Sequence, residues 1–213
     1  MKTHLHLTKS YSYPLPPEFQ YHDVRMGSGL IEHFLKEFTK EGDLVLDPFA
    51  GFGTTLYAAE ALGRVGYGVE YTEKKVRFIQ SRLRHPERLI HGDSRLLTTY
   101  NLPRFDFCMT SPPYTNKEET DNPFTDYSEL GYDYPSYLRD LRGIFEQVKQ
   151  VMKPGAHVVV EVANIKSTSG VTTLAWDVGR ELSQAFTFLG EVMICWDKYD
   201  FGYDHSYCLV FTN

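Results

Sequence analysis

Short apolar runs and stretches with helical spacing alternate along most of this chain. Leu44 to Leu46 is an apolar run that ends in Asp47, Val65 to Glu70 ends in a second carboxylate, and the segment R-L-I-H-G-D ends in a third, Asp93. Thr54 to Leu62 and Thr72 to Arg84 read as the helices between them. Upstream, Leu30, Ile31, Phe34, Leu35 and Phe38 recur at helical spacing behind Gly27-Ser28-Gly29. Downstream, Phe105 to Thr110 is a buried strand. Tyr137 to Met152 places Leu138, Leu141, Phe145, Val148 and Met152 on one helical face and stops at Pro154-Gly155. H-V-V-V-E-V-A-N is another buried strand, Thr172 to Phe188 another helix, and two strands close the chain, joined by the loop Tyr199 to Asp204. Strands that are apolar throughout and alternate with helices indicate a mostly parallel sheet covered on both faces. The expected fold is therefore α/β: one Rossmann-like domain over residues 1–213, with a seven-stranded, mostly parallel, doubly wound sheet and a C-terminal antiparallel hairpin.

Composition agrees with a single domain and narrows its setting. With 213 residues, 42% of them hydrophobic, the chain can bury a sizeable core. No apolar run approaches the roughly 18 residues of a membrane span, and M-K-T-H-L-H-L-T-K-S lacks the apolar core of a signal peptide. The expectation is a cytoplasmic protein without a membrane partner. Cys108, Cys195 and Cys208 lie in apolar stretches without metal-ligand spacing and read as reduced core residues, so no metal is expected. The net charge of −6 conceals an uneven distribution: Tyr71 to Arg104 carries eight Lys/Arg against three Asp/Glu. Such a stretch could follow a phosphate backbone, although a solvated charged helix face is the stronger reading.

The candidate chemistry lies at the ends of the strands. D-P-F-A-G-F-G-T-T (Asp47 to Thr55) turns from strand to helix through Gly51 and Gly53, which permit a tight turn and close backbone approach. It matches neither G-x-G-x-x-G nor G-x-x-x-x-G-K-[ST], the usual phosphate-binding patterns. An acid at the strand end suits an amine-bearing ligand better than a pyrophosphate. Glu70 stands where a carboxylate accepts the hydroxyls of a ribose in nucleotide-binding units, and Asp93 is placed to meet an adenine amine. Ser111-Pro112-Pro113-Tyr114 follows the Phe105 to Thr110 strand, 56 residues after Thr55. In isolation it is equally a rigid turn. At a strand's C-terminal end it offers a Ser111 hydroxyl, a Pro112 carbonyl and a Tyr114 ring, while each proline removes a competing donor. Those groups suit a nucleobase amine, whose delocalised lone pair must be freed before it can attack.

These motifs resemble the S-adenosylmethionine-dependent DNA amino-methyltransferases, which make N4-methylcytosine or N6-methyladenine. Phe49, Gly51 and Gly53 match that family's F-x-G-x-G cofactor loop, and Ser111 to Tyr114 its catalytic loop. The resemblance implies a cofactor-binding half at 21–100 and a catalytic half at 101–213, with S-adenosylmethionine as cofactor. It implies Glu70 on the ribose, with Tyr71 beside it, and Asp93 and Ser94 flanking the adenine. Asp47 would lie near the methionine amine, with Phe49, Ala50, Gly51, Gly53 and Thr54 forming the loop around it. Ser28, opening a helix between two glycines, would receive the methionine carboxylate, an ordinary N-cap being the alternative. Ser111, Pro112, Pro113 and Tyr114 would surround a base flipped from its stack. Ser at 111 favours N4 of cytosine over N6 of adenine.

The chain departs from that family in offering no recognisable target-recognition domain. The expectation is that specificity is low, that the long polar loop Thr115 to Pro135 supplies it, or that a specificity subunit or homodimer does. Tyr199, Phe201, Tyr203 and His205, in and beside the last loop, are further candidates for stacking or proton handling. DNA is the favoured substrate. An RNA base methyltransferase is the alternative, because single-stranded RNA presents unpaired bases; a non-catalytic cofactor-binding subunit is the second. Amide methyltransferases typically carry Asn where Ser111 stands.

Overall fold

The computed structural model describes residues 2–11, 13–20, 25–197 and 204–213. In chain order its elements are β1 (His4–Leu7), α1 (Pro17–Gln20), α2 (Ser28–Phe38), β2 (Leu44–Asp47), α3 (Thr54–Ala61), β3 (Val65–Glu70), α4 (Glu73–Gln80), β4 (Leu89–His91) and β5 (Phe105–Thr110). There follow α5 (Tyr134–Val151), β6 (Met152–Val162), β7 (Ile165–Ser167), β8 (Gly170–Thr172), α6 (Leu174–Leu182), β9 (Thr187–Trp196) and β10 (His205–Thr212).

Eight strands form one sheet in the order β1-β9-β10-β6-β5-β2-β3-β4, and β7 and β8 make a separate two-stranded hairpin. Only β10 runs against its neighbours, β6 and β9; the other pairings are parallel. The seven expected strands and the terminal hairpin are all present. The eighth, β1, extends the sheet by pairing with the edge of β9. Its alternation of exposed His4 and His6 around buried Leu5 is a strand pattern, too short to stand out in the sequence.

Both faces of the sheet are covered, as apolar strands require. On one side Leu30, Ile31, Phe34 and Leu35 of α2 and Ala58 and Ala59 of α3 pack on Val45, Phe107, Met109 and Val159. On the other, Tyr137, Leu141, Phe145 and Val148 of α5 and Val178 and Leu182 of α6 pack on Leu46, Cys108, Val158 and Val160. Alternate residues of β6 thus serve opposite cores, each fully buried aliphatic side chain contributing about 1.5–3 kcal/mol. Helix α5 begins three residues before the expected Tyr137 because Asp133 caps it, accepting from the Ser136 N–H at 2.7 Å, with a proline in its first turn.

The chain progresses outward from β2 through β3 to β4, then crosses to the other side of β2 to continue with β5 and β6. In open α/β sheets ligands bind outside the carboxyl ends of the strands at such a reversal. Asp47, Glu70, Thr110 and Val162 are the last residues of β2, β3, β5 and β6, so the reversal places the charged strand ends at one edge.

Candidate active site

A cleft of about 870 Å³ opens along this edge. Asp47, Phe49, Ala50, Gly51, Thr54, Glu70, Tyr71, Asp93 and Ser94 line it, together with Ser111, Pro112, Pro113 and Tyr114. Thirteen of the fifteen singled-out residues are therefore brought together. Gly53 and Ser28 are not among the lining residues. Gly53 caps α3 at φ +78°, and a Cβ there would come within 2.7 Å of Ile79, so this position needs glycine for backbone conformation and for close approach. Ser28 is buried as the first residue of α2, which Gly27 caps; Met26 and Gly27 reach the cleft in its place.

The three strand-end acids differ in how they are held. Glu70 accepts the Gly51 N–H at 2.9 Å through one oxygen and the Thr72 N–H at 2.8 Å through the other, so the turn after β2 is tied to the end of β3. Burial raises its pKa, against the pull of the Lys75 charge and these hydrogen bonds. Asp47 is almost wholly buried. It accepts the Thr110 hydroxyl at 2.6 Å and the Phe49 N–H at 3.0 Å. Burial pushes its carboxyl up to about 6 despite those donors. Asp93 caps the 3₁₀ segment Ser94–Thr99 and grips Arg95 in a fork at 2.7 to 3.1 Å. Ser94 donates its hydroxyl to the Pro48 carbonyl, pinning the ends of β2 and β4 together.

The S-P-P-Y loop is held differently. Ser111 donates to the Tyr114 hydroxyl, and that hydroxyl lies 3.4 Å from both the backbone carbonyl and the carboxylate of Glu161. Glu161 sits one position before the end of β6 and is buried; burial raises its pKa while hydroxyls of Ser206 and Ser111 and the charge of Lys9 hold it down. Ser206 in turn accepts the Trp196 indole N–H at 2.9 Å. Glu161 belongs to no motif, and its one signal in the sequence is a lone carboxylate inside the apolar run H-V-V-V-E-V-A-N. Lys9, Phe19 and Arg25, from the segment before α2, also line the cleft and carried no comparable signal.

Other candidates lie elsewhere. Tyr199, Phe201 and Tyr203 fall outside the described residues. His205 faces Tyr207, its ring nitrogen 2.9 Å from that hydroxyl. In the basic stretch, Arg95 is committed to Asp93, Arg77 to Glu73, Lys75 to Asp126 and Arg104 to the Met152 carbonyl. Arg82 and Lys74 lie over the Phe78 and Phe19 rings. That surface is mostly occupied by partners within the chain. Among the described residues no group of three His, Cys, Asp or Glu is placed to hold a metal, and no helix is long and apolar enough to cross a membrane.

The architecture is a methyltransferase fold. TrmN from Thermus thermophilus superposes with a TM-score of 0.63 over 88% of this chain and 49% of that one, at 19% identity. Residues 3–81 match the model of a DNA methylase family, of the N6/N4 type. The type II methyltransferase M2.DpnII of Streptococcus pneumoniae is 37% identical over 62 residues, covering 29% of this chain and 23% of that protein. M.HinfI of Haemophilus influenzae is 38% identical over 63 residues, covering 30% and 18%. The chain thus spans less than a quarter of the length of these relatives. The family match takes in Asp47 to Thr55 and supports the resemblance to DNA amino-methyltransferases drawn there. The family match ends before Ser111, so the loop's role rests on geometry.

Proposed function

We propose that this chain transfers a methyl group from S-adenosylmethionine to the exocyclic amine of a nucleobase in DNA, N4 of cytosine being preferred to N6 of adenine. The observation that carries the reading is the convergence of Ser111 to Tyr114 with Asp47, Glu70 and Asp93 on one cleft. S-adenosylmethionine fits the donor set. Glu70 uses each oxygen once on a backbone N–H and retains lone pairs for the ribose hydroxyls. Asp47 receives the Phe49 N–H and the Thr110 hydroxyl on the same oxygen, Oδ1, and supplies a buried negative charge for the methionine ammonium. When bound, the cofactor supplies an electrophilic sulfonium methyl.

The protein's contribution is positioning and charge placement. Pro113's carbonyl accepts the Tyr137 hydroxyl at 3.1 Å and Tyr114's accepts that of Tyr127 at 2.8 Å, whereas Pro112's accepts no hydrogen bond from the described residues. Pro112 therefore presents the carbonyl that receives one amine N–H, and the Ser111 oxygen receives the other. Holding both N–H bonds in acceptors favours a pyramidal nitrogen, whose lone pair is withdrawn from the ring and localised for attack on the methyl group. Glu161, touching the loop through Tyr114 and Ser111, holds the proton released from the methylated amine until it passes to water. The Tyr114 ring faces the extruded base.

Incubation with tritiated cofactor and separate DNA and RNA pools, followed by nucleoside mass spectrometry, tests this reading. N4-methylcytosine in DNA is the expected product. N6-methyladenine would reassign the base, label in RNA alone would reassign the polymer, and no label on either would overturn the reading. Similarity to proteins named as type II methyltransferases supports a role in restriction–modification.

A further inference from the structure

The segment between Ser111 and α5 is a strap with its own hydrogen-bond frame. Asn122 caps the 3₁₀ turn Pro123–Thr125, accepting from the Phe124 N–H at 3.0 Å, and its amide donates to Glu129 at 2.9 Å. Asp121 and Leu130 bridge as antiparallel partners. At its base, Glu118 takes the Ser167 hydroxyl at 2.6 Å from the β7–β8 hairpin, and the Lys117 N–H donates to Thr172 at 3.2 Å.

At the tip, Asp126 and Tyr127 both have left-handed backbones, φ 55° and φ 59°. They are the only non-glycine residues with positive φ among those described. Two such residues in succession cost on the order of 1–2 kcal/mol each and persist only where surrounding contacts impose them. The contacts lie on opposite sides of the cleft. Asp126 pairs with Lys75 of α4 at 3.2 Å, and Lys75 is the cation acting on Glu70. Tyr127 donates its hydroxyl to the Tyr114 carbonyl at 2.8 Å. The tip thus joins Lys75, whose charge acts on the Glu70 carboxylate, through Asp126 and the adjoining Tyr127 to the last residue of the target loop.

Resting on the reading proposed above, we propose that Tyr127 is a positioning residue for methyl transfer: it fixes the Tyr114 carbonyl from the strap, and with Asp126 and Lys75 it ties the target loop to the wall of the cofactor pocket. Tyr137 holds the neighbouring Pro113 carbonyl from the rigid α5 side. Through its carbonyls the loop is thus fastened once to α5 and once to the strap, and of these two only the strap tether depends on the cofactor side. The Lys75–Asp126 pair is half exposed and weak by itself, so the Tyr127 hydroxyl carries the larger effect.

The test uses the full chain with S-adenosylhomocysteine as probe. Tyr127→Phe keeps the ring and removes the tether. It is expected to lower kcat about tenfold, the value of one lost hydrogen bond at the reacting centre, with unchanged melting temperature and S-adenosylhomocysteine affinity. Asp126→Asn preserves a side chain that tolerates the left-handed backbone and removes the ion pair. It should lower kcat about twofold, and by less when Tyr127 is already Phe, as linked residues do. Amide hydrogen exchange provides a readout independent of turnover: S-adenosylhomocysteine should slow exchange in residues 110–118 of the wild type and not of Tyr127→Phe. Wild-type kcat in Tyr127→Phe, or equal protection in both proteins, overturns the tether. A wild type that methylates neither DNA nor RNA but shows the protection difference refutes the substrate reading and leaves the tether standing.

Discussion

The two walls of the cleft are held by different means. On the cofactor wall, each acid is fixed by short bonds to groups close in sequence or at the next strand end: Glu70 to the N–H groups of Gly51 and Thr72, Asp93 to Arg95, Asp47 to Phe49 and Thr110. On the target wall, Ser111, Tyr114 and Glu161 meet at 3.4 Å, long for hydroxyl hydrogen bonds, and their partners come from β6, β10 and the strap. The first wall is preorganised by its own backbone. The second is assembled from distant segments and has slack to take up when a base enters, since catalytic hydrogen bonds tighten in the reactive complex. A cofactor common to every turnover suits a rigid seat, whereas a base arriving from a polymer suits an adjustable one.

The sharpest way to break this contrast is to disable the target wall alone. Ser111→Ala and Tyr114→Ala should each lower kcat by about 10²-fold or more, the scale of losing a group that orients and stabilises the reacting centre. Cofactor affinity measured by calorimetry should stay within a few-fold of the wild type. Loss of cofactor binding in either variant would show that the walls are not separate.

The converse variant is Glu70→Ala. It removes a carboxylate whose two oxygens anchor Gly51 and Thr72, and it should weaken cofactor binding about 10- to 100-fold, at about 1.5–3 kcal/mol for hydrogen bonds to a charged group. At saturating cofactor kcat should largely recover. A kcat defect that persists at saturation would place Glu70 in the chemistry.

Asp47 gives the cofactor wall a pH dependence. Its carboxyl is pushed up to about 6 by burial, so the folded protein binds that proton more tightly than the unfolded chain does. The stability this group contributes is full below about pH 4 and is lost as pH rises through 6, by about 2–3 kcal/mol. A cationic ammonium favours the ionised form, so cofactor binding should tighten across the same interval and release a proton near pH 6. Asp47→Asn should flatten both profiles in denaturation and in calorimetry with buffers of different ionisation enthalpy. Profiles identical to the wild type would remove Asp47 from the binding site.

The same contrast governs what could be read from the chain. The β-α-β units and their acidic ends were legible because each contact spans a few residues or one strand repeat, and periodicity fixes both. Ser111 to Tyr114 was legible as a motif, but its setting was not. Tyr127 and Tyr137 lie among fifteen tyrosines, and only the fold shows that their hydroxyls hold successive carbonyls of that loop. The strap reads as a long polar loop because its order comes from Asn122, Glu129 and Asp121 bonding across a turn, which leaves no apolar period. Lys9, Phe19 and Arg25 reach the cleft because β1 docks on β9 and draws the N-terminal segment across the strand ends, a consequence of an edge pairing made 189 residues away in sequence.

Glu161 gives the smallest and most diagnostic test of the adjustable wall. Its carboxylate is buried beside Ser111 and Tyr114, and burial raises its pKa against the pull of the Ser206 and Ser111 hydroxyls. If the ionised form accepts from the loop and holds the departing proton, kcat should rise with pH through that pKa. Glu161→Gln keeps the shape and one acceptor oxygen but cannot ionise. It should lower kcat about five- to tenfold, the value of one charge-assisted hydrogen bond made neutral, and it should abolish the acidic limb of the pH profile. The folding consequence has the opposite sign: an acid with a raised folded-state pKa costs stability once ionised, so Glu161→Gln should be no less stable than the wild type above neutral pH. A variant that is more stable, slower and insensitive to acid would mark Glu161 as a group held in the core for its chemistry. A variant that loses stability while retaining the acidic limb would make it an ordinary buried partner of Ser206.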